Sequence, residues 1–147
     1  DNGCYKDSGD RLIEELENIL NENTQIQKVT LIGHSYGGIL VSHVLNNWKN
    51  SVLLDVHLIA SPLQGNTSLN TLCGYKPSIN LKPMVSLYEW RTQQHLDSAF
   101  KDMPENPQNI YIEGSIVNVL PDTYNGHRLG HNWSISWVAE RILKQSS

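Results

Sequence analysis

One short run carries the chemistry: Gly33-His34-Ser35-Tyr36-Gly37. A serine hydroxyl attacks an acyl carbon only when a neighbouring base takes its proton. The five-residue pattern alone is weak, so its setting decides its meaning. Val29-Thr30-Leu31-Ile32 precedes it as an apolar, β-branched run, and an apolar helical stretch over 39–48 follows. A strand, a sharp turn and a helix hold a nucleophile at the end of a sheet in a strained backbone conformation. Side chains two positions either side of the serine would collide, which accounts for Gly33 and Gly37. Gly38 lets the helix pack closely on the strand. The helix N-terminus favours a developing oxyanion, and the Tyr36 N–H is placed to donate to it.

Where such a turn carries a nucleophile, its partners follow in the order serine, acid, histidine. Of the six histidines, His34 and His43 lie on the turn and its helix, and His34 reads as structural. His57 sits inside a strand and faces a helix layer, leaving His95, His127 and His131 downstream. His131 fits the base best, because it ends a long loop, follows Gly130 and immediately precedes the last helix. His127 is the alternative base. The acid belongs after the third strand, where Asp97 would hold the imidazole in one tautomer. Asp97 also reads as a cap of a helix over 98–103. Glu89, Asp102 and Asp122 are the other candidates.

The elements that must position these residues follow from periodicity. Leu12, Ile13, Leu16, Ile19 and Leu20 trace one face of a helix, with Asp7 or Ser8 as its N-cap. Strands are expected over 29–32, 56–60, 84–88 and 109–113, and helices over 39–48, 96–103 and from about 132 onward. The 62–83 connection holds at most one short helix, which leaves little room for a large lid. Strands alternating with helices imply an α/β fold, a mostly parallel sheet of about four strands flanked by helices. Ligands in such sheets sit beyond the carboxyl ends of the strands, where every candidate above falls.

Composition narrows the partners. The 147 residues suit a single domain spanning 1–147, with a net charge of −4 and no Lys/Arg run, which argues against nucleic acid or an anionic membrane surface. No apolar run approaches the roughly 20 residues of a membrane span, and no signal-peptide pattern is visible. Cys4 and Cys73 could pair or stay free. The sequons at Asn66 and Asn132 are weak signals.

Together these segments resemble the carboxyl-terminal half of the α/β-hydrolase superfamily, in its lipase- and esterase-like branch. Val29 to Gly38 looks like the nucleophile strand and elbow. Ile59-Ala-Ser-Pro-Leu-Gln-Gly is similar to the strand end that follows in lipase-like members, and Leu129-Gly-His-Asn-Trp resembles the histidine loop. The resemblance implies a Ser35–His131–Asp97 triad cleaving carboxylic esters of small molecules or lipids, with no metal or cofactor. Acyl transfer or thioester hydrolysis on the same triad is the neighbouring possibility, and a non-catalytic binding domain that kept the fold is the distant one. The family's strands before the nucleophile strand, one of which brings a second oxyanion donor, have no counterpart in residues 1–28. A second chain or a missing segment is therefore expected to complete the sheet. Residues 114–121 are similar to the acid-bearing segment of some members, but contain no Asp.

Overall fold

A computed structural model describes residues 4–146. The elements in chain order are α1 (Tyr5–Glu22), β1 (Lys28–His34), α2 (Gly37–Asn47), β2 (Leu53–Ile59), α3 (Thr67–Leu72), β3 (Val85–Arg91), a 3₁₀ turn (Gln94–Leu96), β4 (Ile116–Val119), β5 (Thr123–Tyr124), β6 (His127–Arg128) and α4 (Trp133–Ser146). The first four strands form one parallel sheet in the order β1-β2-β3-β4, and β5 and β6 form a small antiparallel hairpin. The fold is the α/β sheet flanked by helices that the alternation implies.

Side chains alternate across a strand, so register divides the sheet into two faces. Leu54, Val56 and Leu58 of β2 share one face with Val85 and Leu87 of β3. They are buried with Leu16 and Leu20 of α1 and Val41, Val44 and Leu45 of α2. On the other face Ile59 and Trp90 pack with Leu120, Leu129, Phe100 and Val138 of α4. β1 lies at the sheet edge with its outer side unpaired among the described residues. Ile32 there is 54% exposed. None of the described helices is long and apolar enough to cross a membrane.

Several local expectations are corrected. α1 begins at Tyr5, so Asp7 and Ser8 lie inside it, and Cys4 precedes it without a side-chain cap. Cys4 is instead joined to Cys73, which ties the start of α1 to the end of α3 across 69 residues. No α-helix forms over 96–103. There the Ala99 N–H is taken by Asp97 Oδ1, and Gln94 Nε2 donates to the Phe100 and Met103 carbonyls. These side chains satisfy groups that a helix would have paired.

The fourth strand lies later than expected. Over 109–112 the carbonyls of Asn109 and Ile110 accept from Gln64 Nε2 and Arg91 instead of a ladder. Pairing begins beyond Gly114, whose φ of 88° turns the chain, and aligns Ile116–Val119 with Tyr88–Arg91.

Candidate active site

Ser35 stands between β1 and α2 with φ 56°, the left-handed region. For a residue other than glycine this costs on the order of 1–2 kcal/mol. Bonds on both sides hold it there. Its N–H donates to the Ile59 carbonyl at 3.0 Å, extending the β1–β2 ladder, and its carbonyl accepts from Gly38 at 2.9 Å.

Close approach falls at Gly33 and Gly38. A Cβ on Gly33 would come within 3.1 Å of the Gly37 backbone, and one on Gly38 would meet Ser61 Oγ at 2.1 Å and Ser61 Cβ at 2.4 Å. Gly37 differs from the expectation, since a Cβ there meets nothing within 4 Å. The contact at Gly38, between α2 and the segment just after β2, is therefore the tighter steric constraint on this turn.

The structure brings Ser35, His131 and Asp97 together. Ser35 Oγ lies 2.8 Å from His131 Nε2. His131 Nδ1 lies 3.1 Å from each Asp97 carboxylate oxygen. A carboxylate only accepts, so Nδ1 carries the imidazole proton, and Nε2 is left to accept from the serine hydroxyl.

The imidazole is held on several sides. Phe100 meets it edge-on with centroids 5.1 Å apart, and the His34 ring lies at 4.8 Å. His34 Nε2 donates to the His131 carbonyl at 2.6 Å, and Ser134 Oγ donates to the same carbonyl at 3.0 Å. Gly130 is required by sterics, because a Cβ there would stand 2.5 Å from the Leu96 carbonyl oxygen.

Asp97 is fully buried. A buried carboxylate needs donors, and it has three besides backbone turns: His131 Nδ1, Thr92 Oγ1 at 2.5 Å and the Ala99 N–H at 2.9 Å. Thr92 is pinned in turn by Gln108, whose Oε1 accepts from the Thr92 N–H and whose Nε2 donates to its carbonyl. Gln108 is buried and 16 residues away. Sequence reasoning missed both residues, since an exposed polar loop residue and a buried support have the same local signature.

The alternatives lie elsewhere. His127 is exposed on the hairpin and stacks on Trp133 at 3.8 Å. Glu89 is buried on the opposite sheet face, paired with Arg91 at 2.9 Å and accepting from Ser115. Asp122 accepts from Gln93, and Asp102 is exposed. The Tyr36 N–H has no hydrogen-bond partner among the described residues, and the first turn of α2 follows it.

His57 lies buried at the centre of the sheet. It stacks on Tyr88 with centroids 4.8 Å apart, and its Nδ1 accepts from Trp90 Nε1 at 3.0 Å. Burial pushes its pKa down, partly opposed by the nearby Asp55 charge.

A family model described as "Putative serine esterase (DUF676)" matches residues 5–77. The matched span holds α1 through α3, including Ser35, and ends before Asp97 and His131. The chain is thus similar to a serine hydrolase-like family over its amino-terminal part. No curated protein and no solved structure matches it.

Proposed function

We propose that the chain is a serine hydrolase cleaving carboxylic esters, with Ser35 as nucleophile, His131 as general base and acid, and Asp97 as the group orienting the imidazole. The observation that carries this reading is the continuous hydrogen-bond path from Ser35 Oγ through His131 to Asp97. The similarity to serine esterases over residues 5–77 supports it. The strained turn is the backbone expected of a nucleophile elbow.

Each proton in the cycle has a carrier. Ser35 Oγ attacks the ester carbonyl as His131 Nε2 takes its proton. The negative oxygen of the tetrahedral intermediate accepts from the Tyr36 N–H. His131 returns the proton to the leaving alkoxide, and the alcohol departs. Water then attacks the acyl-serine, His131 takes its proton and passes it to Ser35, and the acid is released. Asp97 stays ionised throughout and stabilises the imidazolium. The free edge of β1 is where a further strand would bring a second oxyanion donor.

Turnover of a small activated ester tests the reading. Replacing Ser35→Ala or His131→Ala should each lower kcat by roughly 10³-fold or more. Combining the two should cost little beyond either alone. Activity that survives Ser35→Ala would refute it.

A further inference from the structure

We infer that the groove between the first turn of α1 and α3 is the acyl-chain subsite, and that it takes an uncharged apolar chain of medium length. This assignment rests on the ester-hydrolase reading above.

Topology puts the groove at the reacting end of the sheet. α1 leads into β1, so its amino-terminal turn stands at the carboxyl end of the strands, where Tyr5 and Ser8 share a hollow with Tyr36. The groove has a volume of about 310 Å³ and is lined by Tyr5, Ser8, Ile39, Leu40 and Leu69, with Tyr36, the residue next to Ser35, on its border. No Asp, Glu, Lys, Arg or His lines it. An ionised group placed there would meet no opposite charge, whereas methylenes would gain by burial.

Tyr36 and Leu69 also border a second hollow of about 230 Å³, reaching Asn66 and Leu72. Tyr36 stands on the border of both, and Asn66 Nδ2 donates to its hydroxyl at 2.8 Å. Asn66 is itself held as the cap of α3, accepting from the Leu69 N–H. The Cys4–Cys73 disulfide joins the two walls and sets their separation. Tyr36, the residue after Ser35, borders both hollows and is the edge at which an acyl group on Ser35 Oγ would enter the first groove. At roughly 30 Å³ for each water-sized group, a groove of about 310 Å³ has room for about ten such groups, enough for an octanoyl chain.

Two measurements decide the matter together. The first is the ratio of kcat/KM for p-nitrophenyl octanoate to that for the acetate. It should fall at least about tenfold in Leu69→Trp and in Ser8→Trp, which fill the groove from opposite walls, because each buried methylene is worth up to about fourfold. Leu143→Trp, at an exposed site on α4, should leave the ratio unchanged. The second is titration of the intact protein with sodium octanoate, followed by amide NMR. Shifts should concentrate at Tyr5, Ser8, Tyr36 and Leu69 and be absent with acetate. Ester turnover with an unaltered ratio in both groove variants overturns the subsite and leaves the hydrolase reading standing. No turnover with shifts at the groove overturns the hydrolase reading and keeps an apolar-chain site. Neither turnover nor shifts overturns both.

Discussion

His34 Nε2 donates to the backbone carbonyl of His131 across 2.6 Å, and the two rings lie 4.8 Å apart. The residue before Ser35 therefore fastens the loop that carries the proposed base. These two residues are 97 positions apart in the chain. The turn that presents the serine and the loop that presents the imidazole are thus set relative to each other by a direct bond.

His34→Ala should loosen that bond without touching Ser35 Oγ or Asp97. On the proposed mechanism kcat falls about tenfold, the equivalent of roughly 1.4 kcal/mol of barrier, while KM for a small ester changes little. His34→Gln, which keeps an N–H donor, should recover part of the loss. Steady-state kinetics on the three proteins checks it. Equal kcat in wild type and His34→Ala would remove His34 from any positioning role.

Glycine substitutions separate the two ends of the site. Gly130→Ala drives a Cβ to 2.5 Å from the Leu96 carbonyl oxygen, a backbone atom that cannot swing aside. Stability should fall by roughly 1–3 kcal/mol. Gly37→Ala faces open space within 4 Å and begins α2. Its stability should hold or rise by up to about 1 kcal/mol from helix propensity. Urea melts of both variants check this pair, and a large loss in Gly37→Ala would contradict the steric account.

Much of the fold was legible in the sequence because β-branched apolar runs mark buried parallel strands. The runs around Ile32, Val56 and Leu87 each became a strand, with boundaries shifted by up to three residues. The fourth strand was misplaced because the competition over 109–112 is settled by Gln64 and Arg91, which come from distant segments. The helix expected over 96–103 failed for the same kind of reason, with Gln94 and Asp97 taking its backbone groups. At the site, the glycine-flanked serine after an apolar strand indicated Ser35, the loop between Gly130 and the last helix indicated His131, and the position after the third strand indicated Asp97; the structure brings those three into one hydrogen-bond path. Thr92, Gln108 and the bond from His34 were invisible, because only tertiary geometry shows which polar side chain meets which. The Cys4–Cys73 pairing likewise depends on tertiary geometry, which sets the start of α1 beside the end of α3.

Acid should weaken the fold partly through His57. Its pKa is lowered by burial, so below the ordinary histidine value of about 6.5 the unfolded chain takes up a proton that folded His57 resists. Stability is then fully present above about pH 6.5, falls as the pH drops below it and levels off below the folded pKa. His57→Gln, which keeps an acceptor for Trp90, should show a shallower fall in urea midpoint between about pH 7.5 and pH 5. Identical pH slopes in the two proteins would contradict the burial effect.

The central claim is that Ser35 is an activated nucleophile, and a fluorophosphonate probe tests it most directly. The folded wild-type protein should gain one phosphonyl adduct, and peptide mapping should place it on Ser35. His131→Ala should slow labelling by roughly 10³-fold or more, with the circular dichroism spectrum unchanged. A folded wild-type protein that takes no label, or takes it on another serine, would contradict the account.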